Sequence, residues 1–95
     1  MRIYISGPIT GNSTAEKQFH AAADSIRNRG DTPVNPFCLG DVMPDATHAE
    51  YMLLCIKLLE LSDAIYMLPG WEASKGARIE KRHAEQLRMS VYYSA

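Results

Sequence analysis

Cysteine is scarce in this sequence, and its placement rules out two whole classes of protein. Among 95 residues only Cys38 and Cys55 carry thiols. They form no C-x-x-C pair and stand near no His/Cys cluster, which argues against a zinc module and a disulfide-stapled scaffold. Two free thiols in a reducing compartment are expected. Long hydrophobic runs are also missing. Stretches such as Met52–Ile56 and Ala64–Leu68 fall far short of the ~20 apolar residues that span a bilayer. An excess of one charge is missing too, since 10 Lys and Arg face 11 Asp and Glu, for a formal charge of −1. That balance argues against a nucleic-acid polymer as the main partner. It leaves a single nucleotide open, because a nucleotide needs only a few donors. No repeat or low-complexity tract is visible. Arg2 leads straight into a strand-like segment, so no secretory leader is expected, and the expected location is cytoplasmic.

What is present alternates regularly. Arg2–Ser6 is short, β-branched and aromatic, and predicts a strand. Gly7–Asn12 is a loop that no helix or strand interior would accept. Ser13 or Thr14 can then cap a first helix, with Phe19, Ala22, Ala23 and Ile26 at helical spacing and a stop at Asn28-Arg29-Gly30. Thr32–Asn35 is a brief second strand, ended by Pro36. A loop rich in Gly, Pro and Asp fills Pro36–Ala46. Thr47 caps a second helix, with Glu50 placed for a capping box, running to about Leu61. Asp63–Leu68 is a third strand, broken by Pro69-Gly70-Trp71. A third helix covers about Ser74 to Arg88, and Ser90–Tyr93 is the last strand.

The order β-α-β-α-β-α-β over 1–95 predicts one domain of the α/β class. The expected form is a small Rossmann-like, flavodoxin-like three-layer sandwich, with a short parallel sheet of about four strands and three main helices. Ligands of such sheets bind beyond the strand carboxyl ends, where strand order reverses. That brings together the loops Gly7–Asn12, Pro36–Ala46 and Pro69–Ser74. The second helix is apolar on nearly every side. One face meets the sheet, and the other is expected to meet a second copy, as a homodimer or homotetramer.

Glu80 is the most informative residue. Ala73, Ala77, Ala84 and Leu87 form an apolar stripe on the third helix, and Glu80 sits inside it. A carboxylate there faces the sheet, where an unpaired charge is expensive. It is either satisfied by a buried donor, such as Arg78 or a tyrosine, or used as a nucleophile or base near the strand ends. Ser74 can cap this helix, whose first N–H groups can hold an anion, and Gly76 permits close approach. Gly7–Gly11 is a weak phosphate-loop signal that lacks G-x-G-x-x-G. Trp71 can stack on a base or cover the core. His48 and Tyr51 share a helix face with Cys55. Asp63 begins strand three, at the wrong end of the sheet. His20 and His83 read as solvated. No trio suggests a metal, and no cofactor is expected.

The stretches Ile3–Gly11, Asn35-Pro36, Asp63-Ala64-Ile65 and Trp71-Glu72-x-Ser74-x-Gly76-Ala77-x-x-Glu80-x-x-x-Ala84 resemble the nucleoside 2-deoxyribosyltransferase superfamily. The likeness is greatest to its short DUF4406-like branch of bacteria and phages. The resemblance covers nearly the whole chain, and Ser74-x-Gly76-x-x-x-Glu80-x-x-x-Ala84 is its most specific part. It implies a homo-oligomer that cleaves or exchanges the N-glycosidic bond of deoxynucleosides or their monophosphates. Glu80 would attack the anomeric carbon and Ser74 would hold the 5′-phosphate. Tyr4, Ser6, Gly7, Gly11, Trp71 and Gly76 complete the expected substrate-binding set. Active relatives carry an aspartate eight residues before the Asp63 position, where this chain has Cys55, and often an arginine where it has Thr10. Glu72, His48, Asp41 or Asp45 would then supply the acid or base. The alternative implied by Cys55 is a module that binds a nucleoside or nucleotide without turnover.

Overall fold

A computed structural model describes residues 1–94. Four parallel strands form one sheet in the order β2-β1-β3-β4: β1 (Arg2–Ser6), β2 (Thr32–Val34), β3 (Ala64–Met67) and β4 (Ser90–Tyr93). The register pairs Tyr4 with Val34 on one side and with Ile65 on the other. The helices are α1 (Ala15–Asn28), α2 (Leu39–Val42), α3 (His48–Glu60) and α4 (Lys75–Gln86). This is the expected small Rossmann-like α/β fold. Strand order reverses between β1 and β3, so the crevice of such a sheet opens at their carboxyl ends.

Two apolar clusters mark the two covered faces. Ile3, Ile5, Ala64 and Leu68 pack under α1, against Phe19, Ala22, Ala23 and Ile26. Tyr4, Ile65 and Met67 pack under α3 and α4, against Cys55, Leu59, Ala77 and Ala84. The period of two along β1 therefore sends Ile3 and Ile5 to one layer and Tyr4 and Ser6 to the other. Glycine at position 7 permits close approach of β1 and β3. A Cβ there would lie 2.7 Å from the Leu68 Cβ, while the Leu68 N–H donates to the Ser6 carbonyl at 2.8 Å.

Local chemistry explains the element ends. Thr47 and Glu50 form the expected capping box at the start of α3. Ser74 caps α4 by accepting from the Ala77 N–H at 3.2 Å. Thr14 precedes α1 but makes no side-chain cap; the Asn12 backbone carbonyl accepts the first helical N–H, that of Ala15, at 3.2 Å, while its Oδ1 accepts the Thr14 N–H at 3.1 Å. Asp63 stands at the amino end of the sheet, where its carboxylate accepts the Arg2 N–H at 2.8 Å.

Two expectations are corrected. The segment 36–46 is partly ordered as a 3₁₀ turn (Pro36–Cys38) followed by the short α2, so there are four helices. The turn starts because Asn35 accepts the Phe37 N–H at 3.0 Å and Pro36 fits its first position. Leu87 is 47% exposed, because α4 ends at Gln86 and Arg88 turns left-handed at φ 59°. The α3 helix is covered within the chain on one face only, as its place beside so small a sheet predicts. Only Cys55 and Leu59 are buried on it, and Leu53 is 72% exposed, because the sheet and α4 cover one side. No helix among the described residues is long and apolar enough to cross a membrane.

Candidate functional site

Glu80 is 6% exposed, and with Ser6 it makes up the buried polar set of the described residues. Two hydroxyl groups from β1 hold it. Tyr4 Oη donates to Oε2 at 2.6 Å, and Ser6 Oγ donates to Oε1 at 2.6 Å. The strand period put both hydroxyls on this face, and the α4 stripe put the carboxylate opposite them. Arg78 takes no part; its guanidinium donates to the Glu72 carbonyl at 3.0 Å. Burial pushes the Glu80 carboxyl above the ordinary glutamate value, against the opposing pull of the Ser6 and Tyr4 bonds. Burial and the nearby Glu80 charge push the Tyr4 phenol well above its usual value.

The carboxylate faces a cleft of about 810 Å³ at the carboxyl ends of β1 and β3. One wall is the Gly7–Asn12 loop, which follows β1. Another is Pro69, Gly70 and residues 73–77, leading into α4. The α3 helix supplies His48, Tyr51, Met52 and Cys55. Gly70 adopts φ 86°, a left-handed turn that glycine takes without strain. At Gly76 a Cβ would meet Met52 Sδ at 3.4 Å, so glycine keeps the amino end of α4 open to the cleft. The first N–H groups of a helix lack partners within it. With the capping Ser74 and with Lys75 at the rim they form a ready anion site.

Cys55 lies at the inner end of the α3 wall, with Tyr4 and Tyr51 beside it. Burial pushes its thiol up to about 11, so it stays protonated at neutral pH. Tyr51 donates its hydroxyl to the Pro36 carbonyl at 3.0 Å. Burial also moves the Tyr51 phenol upward. Cys38, by contrast, is exposed.

The structure brings together Tyr4, Gly7, Gly11, His48, Ser74, Gly76 and Glu80 of the expected set. It leaves out five others. Ser6 is fully buried and does not line the cleft; its hydroxyl is committed to Glu80. Trp71 turns away to pack on Tyr93, with ring centroids 6.2 Å apart, and under Lys81 at 5.2 Å. Glu72 and Asp41 are exposed and off the cleft, each carried outward on a short turn. Asp45 is likewise exposed outside it. Of the loop 36–46, only Pro36 reaches the wall. Sequence reasoning missed Met52 and Asn12. The Asn12 Nδ2 donates to the Pro8 carbonyl and to Gln18 Oε1, both at 2.9 Å, fixing the β1 loop. An asparagine in a Gly/Pro turn just before a helix is the signal for that role.

A parallel sheet with its strand-order reversal at β1 and β3, and a buried carboxylate facing the crevice there, define a small Rossmann-like domain with a cleft at the switch point. The family described as a domain of unknown function, DUF4406, matches residues 1–93, and the chain belongs to it. No curated protein matches the chain.

Proposed function

We propose that the protein cleaves or exchanges the N-glycosidic bond of nucleosides or nucleotides, with Glu80 as nucleophile. The observation that carries this is the Glu80 carboxylate, buried, gripped by Tyr4 and Ser6, and open on one side to the cleft. The resemblance of Ser74-x-Gly76-x-x-x-Glu80 to the nucleoside 2-deoxyribosyltransferase superfamily supports the same reading. In it, Glu80 traps an oxocarbenium-like sugar as a glycosyl ester, which water or a second base then resolves. The two hydroxyl donors fix the carboxylate in one orientation before substrate arrives. Ser74 and the first turn of α4 receive a 5′-phosphate.

The test is direct. The protein is incubated with deoxynucleosides and their monophosphates, and free base is followed by chromatography. Release by the wild type and its loss in Glu80→Gln are expected. Equal release by both proteins removes the proposal.

A second reading is binding without turnover. The observation favouring it is Cys55, a thiol held near 11 at the inner wall, which offers a departing base no effective acid. Thermal shifts with the same compounds, without product, would decide for it. For either reading we propose a homo-oligomer that covers the exposed apolar side of α3 around Leu53 and Leu61.

A further inference from the structure

Glu80 is the one buried carboxyl group among the described residues, and no cationic side chain pairs with it. Its two partners are neutral hydroxyls. A buried carboxylate without a counter-charge is costly to the folded protein. Its open side faces the cleft, so a positive charge arriving there offsets that cost.

The proton donors around it are poor. Glu80 is the only carboxyl group among the described residues lining the cleft. The Tyr4 hydroxyl is spent on Glu80, and the Tyr51 hydroxyl on a carbonyl. The Cys55 thiol, pushed up to about 11, is a weak acid at neutral pH. His48 is exposed at the first residue of α3. It stands seven residues before Cys55, roughly 10 Å away along the helix axis. Lys75 and His48 line the same cleft but are exposed at its rim, so beside Glu80 itself a departing neutral base meets only the committed hydroxyls and the weakly acidic Cys55 thiol.

We infer, resting on the glycosidic reading above, that the cleft takes glycosides whose heterocycle already carries a positive charge at the bond to be broken. A quaternised purine or a pyridinium base has this chemistry. The step balances without an acid. A Glu80 oxygen forms a bond to the anomeric carbon while the carbon–nitrogen bond breaks. That electron pair passes to the ring and cancels its positive charge, so the base departs neutral. Water then attacks the glycosyl ester, the sugar leaves with the hydroxyl, one proton goes to solvent, and Glu80 returns as carboxylate.

The test compares two compounds that share sugar and phosphate and differ in charge: 7-methyl-2′-deoxyguanosine 5′-monophosphate and 2′-deoxyguanosine 5′-monophosphate. Base release is corrected for the spontaneous rate of each. The expected result is Glu80-dependent release from the methylated compound at least about 100-fold faster, the lower end of what a general acid supplies. In Cys55→Asp the gap narrows by about tenfold or more, through faster release of the neutral base. Melting shifts give a readout without turnover. The methylated compound stabilises wild type more than its neutral partner, and Glu80→Gln abolishes that difference. Equal release from both compounds overturns the charge preference and leaves the glycosidic reading standing. No release from either, with equal melting shifts, overturns both. No release, with a larger Glu80-dependent shift for the methylated compound, upholds the charge preference and removes catalysis.

Discussion

Tyr4 and Glu80 are 76 positions apart in sequence, yet the phenol of one and the carboxylate of the other lie 2.6 Å apart in the interior. That bond ties the first strand to the last helix beneath the cleft. Removing the phenol strips a donor from a buried charged acceptor. Tyr4→Phe is expected to lose about 1.5–3 kcal/mol of stability at neutral pH. Urea unfolding of the two proteins measures it, and a loss under about 0.5 kcal/mol means the bond is absent in solution.

Ser6→Ala acts on the other oxygen. Both hydroxyl bonds hold the Glu80 carboxyl down against the upward push of burial, so loss of either drives its titration higher. Carboxyl-carbon NMR of Glu80 across pH reads this out. A midpoint that stays put or falls in Ser6→Ala contradicts the assignment.

The sign of the pH effect on stability follows from the same shift. The folded value of Glu80 lies above the unfolded one. Between them the native state binds more protons than the unfolded chain, so the Glu80 contribution is full in acid and declines as pH rises through the folded value. Glu80→Gln has no such decline. Its stability relative to wild type should therefore rise as pH increases above the ordinary glutamate value of about 4.3. Paired denaturation curves at several pH values test this, and a difference independent of pH would falsify it.

Two glycines at the rim should answer oppositely to alanine. At Gly7 the added methyl meets the backbone-anchored Leu68 Cβ at 2.7 Å, and a loss of about 1–3 kcal/mol is expected. At Gly76 it meets the flexible Met52 thioether at 3.4 Å. There the helical preference for alanine adds up to about 1 kcal/mol, while ligand affinity in the cleft falls. Thermal melts with and without ligand separate the effects. A Gly76→Ala protein that binds as well as wild type would remove Gly76 from the site.

The apolar α3 face gives a fifth expectation. Leu53, 72% exposed, becomes glutamate, and size-exclusion is compared with wild type. A shift to the monomer position supports pairing through this helix; identical elution counts against it.

How much of this was legible beforehand varied with the range of the interaction. The β1 and β4 limits matched because β-branched and aromatic runs ended at turn residues. Inward placement of Glu80 followed from the spacing of Ala77 and Ala84. What periodicity along one element cannot give is which hydroxyl from another element meets it. The family resemblance places Ser6 in the substrate-binding set. Alternation from Tyr4 places it on the Glu80 face, and only the pairing of layers shows that the two touch. Trp71, Glu72 and Asp41 were misjudged for a related reason. Short 3₁₀ and α turns rotate each side chain by about 100–120° per residue, so loop membership alone does not fix direction. The Pro36–Cys38 turn itself was hidden, since Asn-Pro reads equally as a loop.

Cys38 and Cys55 differ sharply in accessibility, one open to solvent and the other sealed at the inner wall of the cleft. The native protein therefore carries its own reporter. A thiol-specific label should modify the first site quickly, and stoichiometry should reach two only when the floor beneath α3 unlatches, so timing of the second addition clocks that opening with no engineered probe.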